Sequence, residues 1–202
     1  MKKLLIIAVL AALGIGGYLY YNRLIGGPEY ALMQAVKAAK MHDVATFEHY
    51  VDLHSVTDNL VEQLTDQRVM ESIPGGESML MQGALRLLKP QLGQVARQEI
   101  VRYIEANPNK ATARPALPVK VLGMAGGIIS PDSRFKGIKY NQRQGDEALV
   151  GLEFTQPRYD TTLVLEVKLQ NQGDHWQVKQ ITNGGQLAQQ VAQLEKQRNQ
   201  SR

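Results

Sequence analysis

The stretch "KMHDVATFEHYVDLH", residues 40–54, decides how the first half of this 202-residue chain is built. It sets His42, His49 and His54 among Asp43, Glu48 and Asp52, a density of ligating groups that invites a metal or acid/base reading. Its apolar residues point elsewhere. Val44, Phe47 and Val51, with Tyr50 beside them, recur at helical spacing, and Asp43 stands before them as an N-cap. Asp52 follows that helix at a turn, where a carboxylate caps the next helix or accepts backbone N–H bonds. A break at Met41-His42 leaves His42 outside the helix, and His54 is expected in a loop after Val51-Asp52. No HExxH or comparable spacing is present. The stretch therefore reads as a capped helix corner with the histidines in solvated or capping positions.

Working outward, Gly26-Gly27 breaks the chain, Pro28 suits a first helical turn, and Leu32, Ala35, Val36 and Ala39 repeat up to Lys40. The two helices form an αα-hairpin. Val56, Leu60 and Leu64 predict a third helix running to about Glu71, ended by "IPGGES". A fourth runs from Met79 to Leu88, and Pro90 restarts a helix with Leu92, Val95, Ala96, Ile100, Tyr103 and Ile104 on one side. Residues 109–118 are a proline-bearing linker. Residues 119–134, including "VKVLGMAGGIIS", fit helix or strand equally.

From Phe135 the period changes to two. Ala148, Val150, Leu152 and Phe154 alternate with polar neighbours, as do Leu163, Leu165, Val167 and Leu169, and Trp176 with Val178 opens a further run. Short connections predict an antiparallel meander with one face on the helices. Leu187, Val191 and Leu194 mark a closing amphipathic helix that docks on the sheet or frays. The fold class is α+β, with an N-terminal transmembrane helix, a helical half, an antiparallel β-meander and a C-terminal helix. The expected domains are 1–27, anchor and linker; 28–185, the α+β domain; and 186–202, helix and polar tail.

Leu4 to Tyr21 is eighteen residues without a charge. As a helix at ~1.5 Å per residue it spans ~27 Å, enough for a hydrocarbon core. Lys2 and Lys3 before it keep that end cytoplasmic, and Tyr18, Tyr20 and Tyr21 suit the far interface. A cleaved signal peptide with its small residues at Gly14-Ile15-Gly16 is the competing reading; the absence of Ala-x-Ala favours an uncleaved anchor. Either reading places the body in the periplasm or at the cell exterior. Ala8, Ala12 and Gly16 form a weak small-residue stripe for helix association.

The chain carries net charge +4, of which Lys2, Lys3 and Arg23 supply +3, so the basic pI of 9.2 belongs to the anchor. Within the body, residues 29–77 hold 3 basic and 9 acidic groups, and residues 86–143 hold 11 and 3. The basic region fits an acidic lipid, glycan or protein partner, or simply packs against the acidic one. Tyr103, Phe135 and Tyr140 could stack bases, but no nucleic-acid motif accompanies them and no nucleic-acid partner is expected. There is no cysteine, which removes thiol chemistry and Cys-ligated metal.

The run from Pro28 to Leu64 resembles the opening of a bacterial envelope family known as domain-of-unknown-function family 2939, through Tyr30, Ala38 with Asp43, Val51-Asp52 and Leu60. "HWQVKQI", residues 175–181, resembles the family's ending. Thr57-Asp58-Asn59 departs from the Arg-Glu-Ser of that family. The resemblance implies a membrane-anchored envelope protein and carries no activity. The helix hairpin, meander and tryptophan strand also faintly resemble cone-shaped folds of the nuclear-transport-factor-2-like type, which implies a pocket between sheet and helices.

No catalytic, cofactor-binding or metal-binding residue is singled out, and no cofactor is expected. Ser78 lacks a nucleophile elbow, "GMAGG" lacks the Gly-Lys-Ser/Thr of a phosphate loop, and Asp146, Glu147 and Glu153 have no partner implied by sequence. Met70, Met79 and Met81 read as core filler or an adaptable surface. The leading expectation is a non-catalytic binding or assembly domain. A small-ligand carrier or enzyme with an interior pocket, and a homo-oligomeric protein joined through the anchor or C-terminal helix, are the alternatives.

Overall fold

The computed structural model describes residues 26–72, 79–105 and 133–200. Helices α1 (Pro28–Lys40), α2 (Val44–Tyr50), α3 (Leu53–Leu64), α4 (Gln67–Glu71) and α5 (Met79–Glu105) precede strands β1 (Phe135–Gln144), β2 (Glu147–Gln156), β3 (Thr161–Asn171) and β4 (Trp176–Ile181), and α6 (Gly184–Gln200) follows. The strands form one antiparallel sheet in the order β1-β2-β3-β4. The chain is α+β, with its helices on one face of a meander.

Residues 40–54 fold as their caps dictate. The chain leaves α1 through His42 in the left-handed region (φ 59), and the Asp43 N–H closes back on the Ala38 carbonyl at 2.9 Å. Asp43 then accepts the Thr46 N–H at 2.9 Å, and Asp52 accepts the Ser55 N–H at 3.0 Å. Between the two capped helices, Val51 is extended and forms a parallel bridge with Val178, while the Asp52 N–H donates to the Val178 carbonyl at 2.9 Å. The corner thus pairs with the outer edge of β4 and occupies backbone groups that an edge strand would otherwise leave open.

The main core lies between sheet and helices. Ala148, Val150, Val167, Leu169, Trp176 and Val178 from the sheet meet Ala31, Ala35, Val51, Leu53 and Val56, with Leu152, Leu165, Phe47 and Tyr50 packed around them. A second cluster joins Leu163 to Leu64, Val69, Leu187 and Ala188, so α6 docks its apolar face on its own chain. Gly185 permits that docking: a Cβ there would stand 3.2 Å from the Gln63 carbonyl oxygen. Met70 is core, with Val61 and Leu92.

Several expectations are corrected. The Asp52 cap starts α3 at Leu53, so His54 is helical and exposed, 3.1 Å from Asp58 one turn on. The third helix stops at Leu64, because Asp66 caps a separate α4. Pro90 falls inside one continuous α5, whose Leu92, Ala96 and Ile104 are buried; packing of that face outweighs the hydrogen bond a proline removes. Tyr103, expected on the same side, is 83% exposed. The buried face of α1 is Ala31, Ala35 and Ala38, and Val36 points outward. Leu4–Tyr21, Ser78 and residues 109–132 lie outside the described residues, as do the side chains of Met79 and Met81. Among the described residues no helix is long and apolar enough to cross a membrane.

Candidate functional site

Among the described residues, Trp176, Leu165 and Leu152 fill the space between sheet and helices where the cone-fold resemblance implies a pocket. Phe154 lies to one side, its ring 5.4 Å from that of Phe135. An opening of about 510 Å³ occurs instead at the turn end of the meander. Three elements build it. The β1–β2 turn, made possible by Gly145 at φ 59, and the β3–β4 turn, with Gly173 at φ 100, lie side by side. They are tied by Asn171, whose N–H donates to the Asp146 carbonyl at 2.8 Å and whose Nδ2 reaches the Asp146 carboxylate at 3.1 Å. The third wall is Gly26, Gly27 and Tyr30 at the start of α1, with Tyr50 from α2.

Each polar side chain is positioned by register. Arg143 pairs with Ala148, which puts it on the helix-covered face, and its guanidinium lies 4.8 Å from the centroid of the Trp176 ring. Arg143 Nε reaches the Gly145 carbonyl at 3.4 Å, and among the described residues no carboxylate pairs with it. His175 immediately precedes β4 and faces the Asp174 carboxylate through Nδ1 at 2.7 Å. That hydrogen bond holds the Asp174 carboxyl below the usual carboxylate range. The His49 ring stacks on His175 with centroids 3.8 Å apart, and Tyr50 meets both rings edge-on. Burial pushes the Tyr50 hydroxyl above the ordinary phenol range, with Tyr30 and Asp174 adding to it.

The three histidines of residues 40–54 do not converge. His42 Nδ1 bonds the Ile104 carbonyl at 2.6 Å, His54 pairs with Asp58, and His49 stacks on His175 behind the cleft lining. Among the described residues no group of three His, Asp or Glu side chains could hold a metal. Asp43 and Asp52 are caps, and Asp52 also accepts from Lys179 Nζ at 3.0 Å. Glu147 pairs with Lys168 and Glu153 with Lys136. Asp174–His175 has the geometry of a base and its orienting acid, but among the described residues no hydroxyl hydrogen-bonds to either stacked imidazole. The arrangement can bind and orient a polar group.

A second cleft of about 510 Å³ runs along α5 beside Gln94, Arg97 and Arg102. Its arginines are already engaged, Arg97 with Glu48 at 2.9 Å and Arg102 with Glu99 at 3.1 Å. The Arg97–Glu48 pair joins the basic and acidic regions of the chain, as expected where the two pack together. Sequence reasoning missed Arg143 and His175 as site residues; the glycine turns "RQGD" and "QGDH" were the only local signal for either.

No curated protein and no solved structure matches the chain. One family model, described as "Protein of unknown function (DUF2939)", matches residues 19–107. The match spans the capped hairpin and the Val51-Asp52 corner and ends before the sheet, so the likeness of "HWQVKQI" lies beyond it. Over residues 19–107 the chain is similar to this family of unknown function.

Proposed function

We propose that this protein is a single-pass, membrane-anchored bacterial envelope domain, facing the periplasm or cell exterior, that binds a small polar ligand without transforming it. The reading rests on one observation above all: the turn-end cleft presents Arg143 across Trp176, with Tyr30, Tyr50 and His175 around it. Burying most of a small ligand among aromatic walls with a few fixed polar groups is how ligand sites are commonly built. The anchor assignment is supported by the uncharged run Leu4–Tyr21 behind Lys2-Lys3.

Mass spectrometry of material co-purifying with the full chain tests the binding role. A small molecule retained by the native chain and lost from Arg143→Gln supports it; turnover of that molecule by the purified chain would overturn the non-catalytic part. Carbonate extraction of membranes tests the anchor. Release of a chain whose N-terminus maps after Gly16 would replace anchoring with secretion.

A further inference from the structure

Taking the turn-end cleft to be a binding site, we infer that it takes an oxyanion, a phosphate or carboxylate group carried by a small molecule or a lipid headgroup, with Arg143 as the principal contact. The sign of the charge follows from Arg143. Arg97, Arg102 and Arg158 each lie within 3.1 Å of a carboxylate, whereas among the described residues Arg143 is held by its ring contact and by one long bond to the Gly145 carbonyl. A guanidinium laid over an indole keeps its in-plane N–H groups free, and that fork suits two oxygens of one anion.

The opposite choice, an organic cation in an aromatic cage, meets two obstacles. Trp176 is 2% exposed and the ring face it could offer is taken by Arg143. A cation entering there would also face the guanidinium. Among the described residues Asp174 is the one acid in the lining, and it is already engaged by His175. Neighbouring acids are engaged as well: Asp146 with Asn171, and Glu29 with Asn141. Tyr30 and Tyr50 bring phenol groups that can donate to the same oxygens.

Two sources can supply such an anion. Gly26 and Gly27 line the cleft, and on the proposed anchoring the chain enters the bilayer a few residues before them, so a lipid headgroup is within reach. A soluble phosphate or carboxylate could enter from the other side.

Trp176 is the sole tryptophan and lines the cleft, so its emission reports directly on occupancy. The experiment titrates the full chain, in a neutral detergent and then in phosphatidylcholine nanodiscs with and without phosphatidylglycerol. The soluble probes are inorganic phosphate, acetate, choline and glucose, each to tens of millimolar. Emission and melting temperature are both read, because Arg143→Gln changes the fluorophore's surroundings even without ligand. The expected result is a saturable change with phosphate, acetate or phosphatidylglycerol, weakened about 10- to 100-fold in Arg143→Gln, the range for losing a charged hydrogen-bond partner. Response to the soluble anions assigns a soluble ligand, and response to phosphatidylglycerol alone assigns a headgroup. Saturable binding of choline or glucose but of no anion, or anion binding unchanged in Arg143→Gln, overturns the oxyanion inference and leaves the cleft a binding site. No response to any probe by either readout overturns both.

Discussion

Lys179 Nζ lies 3.0 Å from Asp52 Oδ2, joining the corner of the helix hairpin to the last strand of the sheet. The same carboxylate caps α3 through the Ser55 N–H and accepts the Ser55 hydroxyl. Burial alone would raise the Asp52 carboxyl, but the Ser55 and Lys179 bonds outweigh it and hold it at about 2, from an ordinary value of 3.8. A depressed carboxylate contributes stability above its unfolded value and loses it as pH falls through the folded one. Urea denaturation should therefore show a loss of about 2 kcal/mol between about pH 5 and 2 that is absent from Asp52→Asn. Equal acid sensitivity in the two proteins would show that the pair carries no such stability.

Gly151 on β2 sits directly under the Tyr140 ring, and a Cβ there would fall 2.5 Å from two ring carbons. The ring is not free to swing away, since its hydroxyl donates to Glu166 at 2.6 Å. Gly151→Ala should destabilise by about 1–3 kcal/mol, the usual cost of overpacking. Adding Tyr140→Ala should remove most of that penalty, with a coupling of about 1 kcal/mol or more between contacting sites. Strict additivity in the double-mutant cycle would refute the clash.

The elements that were legible in the sequence are those set by local chemistry. Pro28, Asp43 and Asp52 each start a helix through groups within three residues, so the hairpin could be read directly, as could the two-residue period of β2 and β3. Errors arose where distant packing decided. Pro90 looked like a break because its lost hydrogen bond is local, whereas burial of Leu92, Ala96 and Ile104 is not. The cleft depends on still more distant registers: His49 meets His175, and Arg143 meets Trp176, only once two hairpins and a helix corner have paired. No spacing along the chain encodes those meetings.

His42 combines a left-handed backbone (φ 59) with an Nδ1 bond to the Ile104 carbonyl at the end of α5. Replacing it separates the two contributions. His42→Ala loses the hydrogen bond and keeps the strained backbone, for a cost of about 2 kcal/mol, whereas His42→Gly relieves the backbone and should cost about 1 kcal/mol less. Thermal denaturation of both variants reads the difference. Equal melting temperatures would mean that the backbone at residue 42 is not strained, and an unchanged stability in both would remove the tie to α5.

Tyr140 gives the alkaline counterpart of Asp52. The bond to the Glu166 carboxylate comes first among the causes that push its hydroxyl up to about 12, with burial and the charge of Glu166 adding to it. Glu166 also accepts from the Thr182 hydroxyl, so the carboxylate is fixed in place on the open face of the sheet. Because the neutral phenol is the form favoured by folding, the stability it contributes is intact below about pH 10, its ordinary value, and is lost as pH rises toward 12. Tyr50 and Tyr159 are also raised, so the phenolate absorbance of the native chain alone will not isolate this group. Subtracting the titration of Tyr140→Phe does isolate it, and Glu166→Gln should return the difference curve toward pH 10 by removing the charged acceptor. A difference curve already centred near pH 10 in the native chain would show that Tyr140 does not hold that bond in solution, and the coupling expected with Gly151 would then fail with it.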